Sequence, residues 1–207
     1  SYAILVGAIL IVVGFGFKIS MFPFQMWVPD VYEGSPTPVT AYLSVASKAA
    51  GFAILLRVFY VAFDSASVDW GALFAILAAL SMTVGNLVAM AQSNIKRLLG
   101  YSTIAHAGYI LVGLAAIAAK ESNSPVGLGP SGVLFYLGAY AVTNLAAFFT
   151  IIVITNRTGN DHIEGFTGMA RRAPLVSLVL VFSFISLIGI PPTAGFMGKL
   201  YLFNAAV

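Results

Sequence analysis

Four ionisable side chains stand inside long apolar stretches of this 207-residue sequence: Lys18, Lys48, His106 and Lys199. A charged lysine at the centre of a membrane-spanning helix costs about 2.5 to 3.5 kcal/mol, so three of them are not expected by accident. A desolvated lysine suits proton transfer because loss of water favours its neutral form, whereas a nearby carboxylate favours its charged form. These residues predict a proton relay along the three lysines, with His106 as an intermediate.

A structural role is the alternative for each of these residues. A buried lysine that pairs with a carboxylate or a backbone carbonyl holds helices together, and His106 could simply hydrogen-bond a neighbouring helix. Other polar residues in the apolar stretches either hold water between the lysines or join helices by hydrogen bonds. They are Ser44, Ser47, Asn86, Ser102, Thr103, Tyr109, Tyr140, Thr143 and Asn144.

The composition is that of an all-α integral membrane protein. Hydrophobic residues make up 60% of the chain and charged residues 8%, against about 25% charged residues in a soluble domain. The net charge of +3 is dispersed along the chain, which argues against a nucleic-acid partner. Without cysteine, the chain lacks thiolates for an iron–sulfur cluster. No cofactor or metal is therefore expected in it, and any redox centre is expected in another subunit.

About six membrane spans follow from the lengths of the apolar runs, because a helix needs about 20 apolar residues to cross a bilayer. They cover about 2–24, 39–63, 70–92, 98–119, 132–155 and 175–207. Lys and Arg concentrate in the loops before span four and before span six, which predicts that span two starts in the cytoplasm. The sequence begins without Met and stops within an apolar run, so a fragment of a longer chain is expected.

Two of the six spans are predicted to be discontinuous, near Pro23 and near Pro191-Pro192. Proline removes a backbone donor and ends or kinks a helix, and broken helices at membrane depth flank ion sites in transporters. Each break has a lysine nearby in the sequence. Between the first break and span two, Asp30 and Glu33 either pair with basic residues or are solvated loop residues.

The residues around these positions resemble a known family. The runs at 16–24, 27–39, 47–49, 96–109 and 189–199 are similar to those of the antiporter-like membrane subunit N of NADH:quinone oxidoreductase, respiratory complex I. The Asp-Val-Tyr-Glu-Gly form at 30–34, together with Lys48 and Lys199, is more similar to subunit N than to its sister subunits. The resemblance extends over almost the whole chain.

The resemblance implies that the chain supplies helices 7 to 12 of about fourteen, half of an antiporter-like fold. By matching position, Lys18 corresponds to the lysine of broken helix 7, Lys48 to the connecting lysine of helix 8, and Lys199 to the lysine of broken helix 12. The glutamate that pairs with the helix 7 lysine would lie in earlier helices, outside this sequence.

The resemblance also implies a function. The chain would be a proton-translocating membrane subunit of complex I without a catalytic redox site, bound to other membrane subunits and to lipid. NADH, flavin, iron–sulfur clusters and quinone would bind elsewhere in the complex, in a bacterial plasma membrane or, as alternatives, a thylakoid or mitochondrial inner membrane. Two other functions stay open: a stand-alone or Mrp-type cation/proton antiporter subunit, and a purely structural membrane subunit.

Overall fold

The computed structural model describes residues 2–61, 70–118 and 128–206. Within these ranges the chain is helical apart from short turns and an isolated antiparallel bridge between Asn94 and His162. The predicted all-α architecture is confirmed. The predicted span positions 62–63, 119 and 207 lie outside the described residues.

Four helical stretches of the described chain are long and apolar enough to cross a membrane, and they overlap the second to fifth predicted spans. The first consists of α3 (Thr37–Tyr42), a π-helical stretch (Leu43–Ser47) and α4 (Lys48–Val61), and the others are α5 (Trp70–Ala89), α6 (Ile95–Ala118) and α7 (Leu128–Thr158). The π-helical stretch was not predicted. It widens the helix directly before Lys48, and such stretches are frequent at functional sites.

Helices end at both predicted breaks, as expected. Helix α1 (Tyr2–Ile19) ends before Pro23, and the next helix, α2 (Trp27–Gly34), lies beyond the predicted end of the first span at Phe24. In the last span, after a short helix α8 (Met169–Arg172), the break separates α9 (Pro174–Ile188) from α10 (Ala194–Asn204). Both breaks contain a cis X–Pro peptide, at Phe22–Pro23 and at Pro191–Pro192. The unpredicted helix α2 occupies the polar stretch after the first break.

The two breaks begin in the same way. Ser20 (φ +65°) and Gly189 (φ +87°) adopt the left-handed conformation directly after α1 and α9. The next residue then donates its N–H to a carbonyl five positions back, from Met21 to Gly16 (3.0 Å) and from Ile190 to Ile185 (3.1 Å). This is the Schellman ending of a helix. It ends α1 at Ile19, before the predicted position at Phe24.

Helix α6 lies at the centre of the bundle. Of its membrane-spanning window, 72% is buried inside the chain, against 22% to 44% for the other three long spans. Large apolar side chains on the outer helices are exposed, for example Leu10, Val142 and Leu175. In lipid, the backbone polar groups must be hydrogen-bonded within the helix, and the helix can expose apolar side chains. Helices with such exposed apolar faces are typical of a multi-pass membrane protein.

The polar loops meet at one end of the bundle. Arg97, in the first turn of α6, pairs with Asp30 at 2.7 Å and with Glu33 at 2.8 Å. Lys96 pairs with Asp161 at 2.8 Å. Both acidic residues of α2 therefore have a basic partner, which decides between the two alternatives left open by the sequence. Exposed ion pairs contribute little stability; the two formed by Arg97 join α2 to the start of α6.

We expect Gly195→Ala to destabilise the second break. A Cβ at Gly195 would collide with the backbone carbonyl oxygen of Ser186, so α9 and α10 could not keep their present approach. Overpacking of this kind costs about 1 to 3 kcal/mol. The measurement is the thermal unfolding of the full-length protein in detergent. Gly138→Ala is the control, because no atom lies within 4 Å of a Cβ there; equal stability of both variants would contradict the expectation.

Candidate functional site

Lys48 begins α4 and is buried, with an exposed fraction of 4%. Its Nζ donates a hydrogen bond to the backbone oxygen of Thr103 at 3.0 Å and contacts the Thr103 Oγ1. Among the described residues, no carboxylate pairs with Lys48. The lysine therefore joins α4 to α6 through neutral acceptors.

The helical turn before Lys48 is hydrogen-bonded to a different helix, α7. Asn144 of α7 donates a hydrogen bond to the Oγ of Ser44 at 2.7 Å, and Ser44 donates to the backbone oxygen of Ala41 at 2.8 Å. Both Ser44 and Asn144 are buried. The π-helical stretch that precedes Lys48 is thus anchored to α7, while Lys48 itself is anchored to α6.

His106 lies on α6 one turn after Thr103 and is buried among tyrosine rings. Its Nδ1 is 2.6 Å from the hydroxyl of Tyr136, in a hydrogen bond whose donor depends on the imidazole tautomer. The ring centroids of Tyr140 and Tyr109 lie 5.0 Å and 5.9 Å from that of His106. His106 therefore has a hydroxyl partner on α7 and faces the same interior region as Lys48.

Lys199 lies on α10, and its half-buried side chain reaches back over the end of α9. Its Nζ donates to the backbone oxygens of Leu187 (3.1 Å) and Ile188 (2.8 Å), which satisfies two carbonyls that the end of a helix leaves without partners. The Nζ also lies 4.2 Å from the centroid of the Tyr109 ring. Gly189 at the break leaves space for the lysine stem, since a Cβ there would lie 3.0 Å from the Lys199 Cδ.

A cavity of about 530 Å³ connects His106 with Lys199. Its polar lining includes both of these residues together with Asn86, Ser102 and Tyr109, and the rest of the lining is apolar. Ser102, His106 and Tyr109 follow one another at intervals of four and three residues, so they share one face of α6. The cavity opens to the surface of the described chain, where Met90 and Ile188 are exposed, and its volume is enough for several water molecules.

Lys18 lies apart from this group. It is exposed near the end of α1, and it forms no ion pair with a described residue. Its Cγ would lie 3.3 Å from a Cβ at Gly51, which is three residues after Lys48. The structure therefore brings Lys48, His106 and Lys199 into one interior region, and it places Lys18 beside α4 with its side chain on the surface of the described chain.

Tyr136 and Ser186 also belong to this region, although they were not among the candidate residues. Tyr136 is the partner of His106, and the Oγ of Ser186 lies 3.2 Å from the Oγ1 of Thr143. The spacing of Tyr136, Tyr140 and Asn144 by four residues puts all three on one stripe of α7. This four-residue spacing of polar side chains is visible in the sequence, and it could have identified Tyr136.

The groups brought together here are amine, imidazole, hydroxyl and amide groups, which exchange protons or bind water. Within the described ranges, no three His, Cys, Asp or Glu residues lie close enough together to hold a metal ion. The chemistry that the arrangement offers is thus proton transfer and hydrogen bonding along the axis from Lys48 past His106 to Lys199.

Four long apolar spans, two broken helices and a polar interior define a multi-pass helical membrane protein. The family model described as "NADH:quinone oxidoreductase/Mrp antiporter, TM" matches residues 1–207. The chain belongs to this family, as the resemblance in its sequence predicted.

Individual relatives agree with this assignment. NADH-quinone oxidoreductase subunit N of Dehalococcoides mccartyi is 52% identical over 207 residues, which cover 98% of this chain and 42% of the relative. A chain of respiratory complex I from Thermus thermophilus is 38% identical with a TM-score of 0.72, covering 94% of this chain and 40% of that one. A chain of the Mrp complex from Dietzia sp. is 27% identical with a TM-score of 0.89, covering 100% and 37%. This chain thus spans about two fifths of the length of these relatives.

Proposed function

We propose that this chain is the part of a complex I subunit N through which protons cross the membrane, by way of Lys18, Lys48, His106 and Lys199. The observation that supports this proposal is the polar interior from Lys48 to Lys199, where a buried amine, an imidazole and a second amine follow one another across the bundle. Such groups are costly inside a membrane protein and usually mark ion pathways.

In this mechanism each site holds a proton only transiently. Lys48 has only neutral acceptors among the described residues, so its charged form depends on the surrounding water and on charges that approach it. A carboxylate supplied by another part of the full-length protein would favour protonation of Lys18 when it lies next to it. When that carboxylate is distant, release of the proton from Lys18 would be favoured. Water in the large cavity would carry the proton between His106 and Lys199.

The redox chemistry would take place in other subunits. NADH, flavin, iron–sulfur clusters and quinone would bind there, and this chain would carry no electrons. Its partners would be the neighbouring membrane subunits and the lipid bilayer, with no nucleic acid. The bacterial plasma membrane is the proposed location, because the relatives reported above come from bacteria.

The test is proton movement by the whole complex with the full-length subunit, in membrane vesicles supplied with NADH and quinone. We expect the vesicle interior to acidify during quinone reduction, and the gradient to collapse on addition of a protonophore. Quinone reduction by an intact complex without any proton movement would contradict the proposal.

A cation/proton antiporter subunit is the second candidate, and one observation favours it. The Mrp chain superposes with the higher TM-score, 0.89 against 0.72 for the complex I chain, and over the whole length of this chain. The sequence identity, 27% against 38%, favours complex I. Cation-driven proton exchange by the full-length protein in liposomes, without any redox partner, would decide for the antiporter.

A further inference from the structure

Tyr140 lies next to Thr103, the hydrogen-bond partner of Lys48, and its ring centroid is 5.0 Å from that of His106. Its side chain is buried, with an exposed fraction of 6%, and its hydroxyl makes no hydrogen bond of good geometry to a described residue. The side chain of Thr103, which Lys48 contacts, lies next to that hydroxyl. Buried hydroxyls in native proteins almost always have a partner, either protein or ordered water.

A small cavity adjoins Tyr140 on the side of His106. Its volume is about 10 Å³, and its lining includes Tyr140, His106, Tyr136 and Ser186. That is close to the smallest space that holds one water molecule, and a buried water needs two to four polar partners. Tyr140, whose hydroxyl has no well-placed partner among the described residues, lines this space together with the polar side chains of Tyr136, Ser186 and His106.

We propose that Tyr140 and one water molecule in this small cavity form the link between Lys48 and His106. The proposal rests on the proposed function, which it deepens by naming the connection between two of its sites. Thr103 and His106 are one turn apart on α6, and Tyr140 of α7 lies against both. The link therefore runs across the interface of α6 and α7.

The proton transfer along this link conserves every atom. Protonated Lys48 gives one proton to the Tyr140 oxygen, directly or through the hydroxyl of Thr103, while Tyr140 gives its own proton to the water. The water passes one of its protons to neutral His106. Lys48 ends neutral, His106 ends protonated, and Tyr140 and the water are unchanged.

Tyr32 provides a matched comparison. It is also buried, its hydroxyl also lacks a well-placed partner among the described residues, and it also lies next to Thr103. However, Tyr32 projects from α2, and it does not line the small cavity that Tyr140 shares with His106. Removing either hydroxyl deletes the same atom from a similar environment, but only the Tyr140 variant interrupts the link.

The experiment compares Tyr140→Phe with Tyr32→Phe in the full-length subunit of the assembled complex. We expect the initial rate of proton translocation to fall about a hundredfold in Tyr140→Phe, because the variant removes a group that transfers the proton, and to stay unchanged in Tyr32→Phe. A density map of the whole complex that resolves water should show a water bonded to Tyr140 and His106, which disappears in Tyr140→Phe.

Two results would overturn the inference: unchanged translocation in Tyr140→Phe, or an equal loss in both variants. Either result leaves the proposed function standing as long as Lys48→Met abolishes translocation. If Lys48→Met also leaves translocation unchanged, the proposed proton relay is wrong. The Lys48→Met variant therefore distinguishes a failure of the Tyr140 link from a failure of the proposed function.

Discussion

Lys48→Met is expected to abolish proton translocation while the complex still assembles. Methionine has a similar length but no titratable group, so the proton path would lose its buried amine. Removing a group that transfers protons typically costs about a hundredfold or more in rate. Assembly should survive because methionine fills a similar volume and removes the cost of burying an amine that has no carboxylate partner among the described residues. The measurement is proton translocation per quinone reduced, in vesicles that contain the full-length variant.

Arg57→Met is the matched control on the same helix. Arg57 is exposed near the far end of α4, so its loss removes a charge without touching the interior. We expect translocation by this variant to equal that of the unmodified complex. If Lys48→Met also translocates protons normally, Lys48 only joins α4 to α6 through its contacts with Thr103.

The all-helical architecture and the two helix breaks could be predicted because a membrane imposes simple requirements on a helix. A span needs a long apolar run, and proline breaks a helix by removing a donor, so both signals are visible in the sequence. The exact start of a break was not visible. Helix α1 ends at Ile19 because Ser20 adopts a positive φ, a conformation that only a few per cent of non-glycine residues take.

Helix α2 was missed for a related reason. It has only eight residues, too few to show helical periodicity, and it contains Pro29 and lies among further prolines. It is held by tertiary contacts that a local pattern does not contain. Arg97 pairs with two carboxylates on its outer side, while Tyr32 is fully buried on its inner side.

In the candidate site, too, the residue types could be predicted from the sequence but the contacts between them could not. Lysine and histidine in apolar runs are visible as residue types, so Lys48, His106 and Lys199 could be found from the sequence. Their partners depend on how α6 and α7 are rotated against each other, which fixes the contact of His106 with Tyr136. Lys18 shows the limit most clearly, because the length of an apolar run indicates depth in the membrane but not the face of the helix on which a side chain lies.

Lys199→Arg is expected to keep the fold and to lose proton translocation. The guanidinium group can still donate to the carbonyl oxygens of Leu187 and Ile188, which Lys199 now caps. Arginine does not release its proton in proteins, so the exit of the relay would stay charged. We expect a loss of about a hundredfold in proton translocation, with normal assembly and thermal stability of the full-length subunit.

Lys199→Met separates the two roles of this lysine. It removes both the titratable group and the donor to the end of α9, so we expect the loss of translocation together with a loss of about 1.5 to 3 kcal/mol in stability, the usual contribution of hydrogen bonds to charged groups. If Lys199→Arg translocates protons normally while Lys199→Met is unstable, Lys199 serves only as a helix cap. Loss of translocation in both variants, with instability in the Met variant alone, is the result that a relay through Lys199 requires.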